Sequence, residues 1–356
     1  MGILRLVLAL SVIAAHVGPF FGLSFFGNGV MAVETFYLIS GFYMALVLTT
    51  RYQTHQRDFY FNRFLRLFPV YWMLLAFFLV VSSVYWLVAG HPLGALVAWA
   101  ASDSIPSRLW AGASNLVILG SDWAELVGNP QVSHVNQLIA IQPAWSIAIE
   151  ILFYIFAPFV LRLRLGTQAG LFVAAVIIRC AIWFGFGGHW SAWLYYFAPA
   201  TWVFFMGGIF AYHLLTRLEP LPQFAKWAGP IGWILTAVTV GAVLFYSAAG
   251  LLRFQDWRYY AFIGLALPFI FTASKRNRVD GSLAAWSYPV YLAHAVILTL
   301  YAPLRHFVPG EFKAYAVLIL TFALSAIVIH FDRKLQHRFK VGVRPPSQAS
   351  NYRPTA

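Results

Sequence analysis

The chain has 356 residues, of which 61% are hydrophobic and 10% charged, whereas a soluble globular domain carries about 25% charged residues; a bilayer, not water, is its natural solvent. The net charge of +13 does not mark a nucleic-acid binder, because the basic residues fall in short loops between apolar segments rather than in one patch. The single cysteine, Cys180, excludes an intrachain disulfide and a cysteine-based metal site, and no metal is expected.

A spanning helix needs about 20 mostly apolar residues. Ten segments qualify in chain order: 2–21, 27–50, 67–89, 143–162, 167–186, 194–215, 229–248, 258–274, 283–303 and 314–331. The first reads as a retained span rather than a cleaved signal. Arg5 interrupts its apolar run, and His16 stands where a small-residue cleavage site is needed. Between the third and fourth segments, 90–142 holds two short apolar runs, 93–101 and 109–120, split by Asp103 and Arg108. Each is too short to cross, so an outer loop with interfacial or re-entrant pieces is expected. Beyond Phe339 a Pro-, Ser- and Arg-rich tail is expected to be disordered. One membrane domain, 1–339, is thus followed by a tail, 340–356. With the N-terminus inside, 18 of the 24 Lys and Arg residues lie inside, and five lie outside: Arg108, Arg253, Arg258, Arg305 and Lys313. This asymmetry follows the positive-inside rule, and the 18% aromatic content suits membrane interfaces. The expected fold is an all-α integral membrane bundle of about ten transmembrane helices, with both termini inside.

Ionisable residues inside a membrane are costly and point to a functional interior. Here they are Arg5, His16, Glu34, Glu150, Arg179, His213 and His294. His16 follows Arg5 by 11 residues, roughly 16 Å along the axis, and returns to nearly the same helix face. His16, Glu34, Glu150 and His294 are expected in the outer half. Arg63 and Arg66, spaced i,i+3, lie with Arg5 at the inner face. Guanidinium groups bind phosphates in bidentate fashion, and a histidine beside carboxylates suits general-base or nucleophilic work. The separation is on the order of a pantetheine arm by the helix rise. A CoA thioester held by its phosphates inside would present its acyl group near His16. Arg179 is expected to pair with Glu34 or Glu150.

Five motifs carry a family resemblance. They are Arg5-x10-His16; Gly29-Val30 through Glu34-Thr-Phe-Tyr-Leu-Ile-Ser40-Gly41-Phe42; Phe61-Asn-Arg63-Phe-Leu-Arg66-Leu-Phe-Pro69-Val-Tyr71; Trp145-Ser146 with Glu150, Phe153 and Tyr154; and Ser287-Tyr-Pro-Val-Tyr291-Leu292-Ala-His294. In this order, across residues 5 to 294, the chain resembles the acyltransferase-3 family of membrane O-acyltransferases. The resemblance implies about ten spans, an acyl-CoA donor and an extracytoplasmic carbohydrate or lipid-linked glycan acceptor. It also implies an essential role for His16, Arg5, Arg63 and Arg66. Two departures stand out. The second-span carboxylate, often Asp in relatives, is Glu34 here. No SGNH-type soluble domain follows the last span, so acceptor choice is expected to lie in the membrane domain or its loops.

The reading that combines residues and resemblance is an enzyme of the bacterial inner membrane. Acetyl-CoA, or another short acyl-CoA, binds with its phosphates at Arg5, Arg63 and Arg66. His16 acts as base or acyl carrier, and Glu34 or Glu150 orients the imidazole. Trp145, Ser146, Tyr154, Tyr291 and His294 build the site, and the 90–142 loop forms part of the acceptor groove. The rival class is a proton-coupled transporter or flippase. No inverted repeat or matched pair of broken helices supports it, and a transporter has no need of an Arg-x-x-Arg cluster at one face.

Overall fold

The computed structural model describes residues 1–18, 20–23, 25, 29–53, 55–128, 135–189, 191–245, 257–303 and 310–339. The tail 340–356, with its expected disorder, and Arg253 and Arg305 lie outside the described residues. The helices in order are α1 (Gly2–Val17), α2 (Val30–Thr50), α3 (Gln56–Ala89), α4 (Ala95–Ala101), α5 (Ile105–Val117), α6 (Ser121–Val127), α7 (Ala144–Val160), α8 (Leu165–Gly185), α9 (Ala192–Tyr195), α10 (Ala198–Leu218), α11 (Pro222–Leu244), α12 (Trp257–Ser274), α13 (Arg278–Tyr301) and α14 (Lys313–Phe339). No strand occurs among the described residues. In a bilayer every backbone N–H and C=O must be satisfied within the protein, which leaves an apolar chain the helix or the closed barrel.

Each of the ten expected segments coincides with a helix, and among the described residues seven helices are long and apolar enough to cross a membrane. α1 and α7 are shorter apolar helices of 16 and 17 residues. Large apolar side chains face outward along the spans, among them Leu87 at 87% exposure on α3 and Ile177 at 61% on α8. The protein is a multi-span all-α membrane protein. α3 starts at Gln56 and α14 ends at Phe339, beyond the apolar limits expected at 67 and 331. Hydropathy detects only the lipid-facing length, while helical hydrogen bonding continues into the polar ends that carry Arg63, Arg66 and Arg333.

The described residues of the 90–142 stretch form three short helices and one 3-10 turn, Val135–Leu138, none long enough to cross. Side chains sew them together. Trp99 Nε1 and Asn115 Nδ2 both donate to the Leu138 carbonyl, at 2.9 and 2.8 Å, and the Ala140 amide donates to Asn115 Oδ1 at 2.8 Å. This cap packs on the start of α7.

The bundle closes on glycines where two backbones touch. α2 crosses α10 with Gly41 against Phe205 and Gly208 against Leu38; a Cβ on either would sit 2.0 Å from a carbonyl oxygen of the partner helix. Without a hydrophobic force between helices in lipid, such small-residue contacts hold spans together. Beside the crossing, Phe205 stacks on Tyr37 at 4.7 Å and on Phe153 at 4.2 Å, tying α2, α10 and α7 together. Gly208→Val is therefore expected to cost about 3 kcal/mol or more, read as a lower thermal midpoint in detergent. Gly207→Ala, one residue away with nothing within 4 Å of its Cβ position, should leave the midpoint unchanged.

Candidate active site

α1 carries the two ends of the site on one helix. His16 lies in its last turn, which closes at Gly18 with φ 95° and the Gly18 amide donating to the Ala14 carbonyl at 2.9 Å. The carbonyl end of a helix favours a cation, so it supports an imidazolium at this position. His16 is exposed to a cavity of about 560 Å³, whose wall includes Trp145, Tyr195, Tyr196, Tyr291, His294 and Glu125. The His294 ring lies 5.3 Å from that of His16, inclined by 32°. His294 is buried, and its Nδ1 is 2.6 Å from the Tyr291 carbonyl. A carbonyl only accepts, so Nδ1 carries the hydrogen and Nε2 is the basic nitrogen.

A narrower space of about 40 Å³ lies deeper in the bundle, lined by Arg5, Ser40, Ser146, Glu150, Tyr288 and Tyr291 among others. Val33 and Tyr291 line both spaces. Between them the Tyr291 hydroxyl and Ser146 Oγ share a hydrogen bond of 2.7 Å, and Ser146 also donates to the Pro143 carbonyl at 2.8 Å. Glu150 accepts hydrogen bonds from Ser40, at 2.5 Å, and from Tyr154.

At this far end three guanidinium groups gather around one carboxylate. Arg5 interacts electrostatically with Arg66 and Glu150, and Arg63 with Arg66 and Glu150. Arg63 Nε and Nη1 are buried without a hydrogen-bond partner among the described residues, and its guanidinium lies over the rings of Phe59 and Tyr154. Three cations against one anion, with donors left over, form a site for an anion such as a phosphate.

The carboxylate that lines the His16 cavity, Glu125, is neither of the two expected from the sequence. Glu34 is fully buried and ion-paired with Arg179 at 2.6 Å; Tyr260 donates to its second oxygen. Val33 faces the His16 cavity, and Glu34 lies about 100° further round α2, toward α8, α10 and α12. Glu150 follows Trp145 by five residues, about 7.5 Å deeper, and so belongs to the arginine end. Neither lines the His16 cavity. Arg179 does pair with Glu34, as expected, and also donates to the carbonyls of Leu194 and Ala200 at 3.0 and 3.3 Å.

The residues that sequence reasoning missed come from the cap and the loop before α10. Glu125 on α6, Gln142 before α7, and Tyr195 and Tyr196 at α9 all line the cavity. The available signal was two carboxylates, Asp122 and Glu125, close together in a stretch otherwise poor in charge. Burial pushes the Glu125 carboxyl up to about 7, against a hydrogen bond from Asn136 Nδ2 at 3.4 Å that lowers it.

A sequence model of this family's acyltransferase domain matches residues 1–330. The chain belongs to the acyltransferase-3 family. No curated protein and no solved structure matches it. The acyltransferase-3 match spans both α1 and α13, so the arginine end and the His16 end both fall within the family's domain. The protein is accordingly a membrane acyltransferase.

Proposed function

We propose that the protein moves a short acyl group, acetyl first among them, from cytoplasmic acyl-CoA to a hydroxyl of an extracytoplasmic carbohydrate or lipid-linked glycan, such as an exopolysaccharide or lipopolysaccharide unit. It would do so in the inner membrane of a bacterium. The observation that carries the reading is that the space lined by Arg5, Ser146 and Glu150 and the cavity at His16 and His294 share Val33 and Tyr291 as walls. Arg5 and His16 stand on one face of α1, roughly 16 Å apart along its axis.

The phosphates of the donor would sit at Arg5, Arg63 and Arg66, with Glu150 and Tyr154 holding that end in shape. The pantetheine arm would pass between Ser146 and Tyr291. At the outer end the acceptor hydroxyl gives its proton to the free nitrogen of His16 while its oxygen forms a bond to the thioester carbonyl carbon. The carbon–sulfur bond then breaks, and the CoA sulfur takes the proton back from the imidazolium, leaving an ester and free CoA. In the other route His16 attacks first and carries the acyl group to the hydroxyl. The C-terminal end of α1 stabilises the imidazolium of the first route by about 0.3–1 kcal/mol. The pair of Glu34 and Arg179 braces the helices around this path.

The test uses purified protein with acetyl-CoA labelled in the acetyl group, and follows CoA release and protein-bound label with and without an envelope glycan extract. Acceptor-dependent release supports the reading, and label kept on the protein selects the acyl-histidine route. Arg63→Gln is expected to raise the KM for acetyl-CoA by about 10- to 100-fold with little change in kcat. The exposed Arg57→Gln on the same helix should change neither. Absence of both CoA binding and CoA release would overturn the reading.

A further inference from the structure

The cavity at His16 differs from the arginine end in its chemistry. Among the described residues, its lining holds no Lys or Arg. Its ionisable side chains are His16, His294, three tyrosines and one carboxylate, Glu125. Among the described residues, Glu125 Oε1 is buried with no hydrogen-bond partner, and Oε2 has only the long contact from Asn136. A buried carboxylate oxygen left unpaired costs free energy in the resting protein, so a ligand that supplies a donor recovers that cost. Beside it stands an aromatic wall, with Trp145 packed against Tyr195 at 4.4 Å and Tyr196 at 4.8 Å between ring centres. An apolar ring face next to a hydrogen-bond acceptor matches a sugar, which has one apolar face and a rim of hydroxyl donors.

We propose that Glu125 is the residue that selects the acceptor: it takes hydrogen bonds from hydroxyls of a neutral sugar and repels sugars bearing a carboxylate or phosphate at the reacting unit. The proposal rests on the acyl-transfer reading and adds the charge class of the acceptor to it. A carboxylate in a cavity without a cation disfavours a second anion at close range. Glu125 is carried by α6 in the cap, whereas His16 is carried by α1, so acceptor recognition and acyl chemistry come from separate parts of the chain.

The test compares three nucleophiles with acetyl-CoA and the intact protein: hydroxylamine, which needs no sugar subsite; methyl glucoside and methyl galactoside; and the corresponding methyl uronates. The wild type is expected to acetylate hydroxylamine and to prefer neutral glycosides to uronates. In Glu125→Gln, hydroxylamine transfer should stay within about twofold. The KM for the neutral glycosides should rise about tenfold, as for the loss of a hydrogen bond to a charged group, and the preference over uronates should collapse. The thermal midpoint of this variant at pH 8 should not fall. The carboxyl is raised on folding, so the stability it takes away is lost as pH rises toward about 7 and stays lost above it. An unchanged glycoside KM, an equal loss of hydroxylamine transfer, or a wild type that acetylates hydroxylamine but prefers uronates or takes no sugar would each overturn the assignment. A wild type that transfers to nothing and releases no CoA would remove the acyl-transfer reading itself.

Discussion

His16→Ala is expected to lower acyl transfer by about a thousandfold, within the 10²–10⁴ range for a positioned acid–base group. The KM for acyl-CoA should stay unchanged, because the arginines proposed to hold the donor lie at the other end of the bundle. The substitution removes an exposed side chain at the end of α1 and should leave the fold intact. Single-turnover release of CoA, with acceptor in excess, separates a lost chemical step from lost binding. His294→Ala is the informative companion. Its ring is 5.3 Å from His16 and buried, so its loss should slow transfer less and lower the thermal midpoint more. If His16→Ala kept its rate and His294→Ala lost it, the chemistry would belong to His294.

The second large effect concerns the ion pair between α2 and α8. Breaking a buried pair from one side costs about 3–5 kcal/mol, because a charge is left without compensation. The two sides are not equivalent. Glu34 is fully buried, whereas Arg179 keeps some exposure and two backbone carbonyls. Arg179→Met should therefore lower the midpoint in detergent by on the order of 10 °C, at about 2–4 °C per kcal/mol. Glu34→Gln should cost less, and the double variant should recover part of the loss. Equal losses for the two single variants, with no recovery in the double, would show that the pair does not act as a unit.

The bundle was legible from the sequence because lipid demands one long apolar helix at a time, and ten such segments stand out. The depth order along α1 was legible as well, since the rise per residue puts Arg5 at one end and His16 at the other. Which way each residue faces was not. A span that is apolar on every side carries no amphipathic signal to orient it. Glu34 was accordingly expected beside His16, one residue away from Val33, which does line that cavity. Glu150 failed in depth rather than in rotation. Glu125 escaped because α6 is a seven-residue helix in a segment with no periodicity, and only the fold of the cap carries it to the cavity.

The pinch at Tyr291 and Ser146 bears on the energy supply of the cell. A continuous aqueous passage through a bilayer protein would short-circuit the ion gradients kept across that membrane. The space on the arginine side of the pinch, about 40 Å³, has room for only a few waters, at about 10–15 Å³ of such space for each. On the proposed function, a thioester arm would part the tyrosine and serine hydroxyls as it enters, and would itself become the stopper. On that reading the passage would stay closed at rest and open no wider than the donor fills.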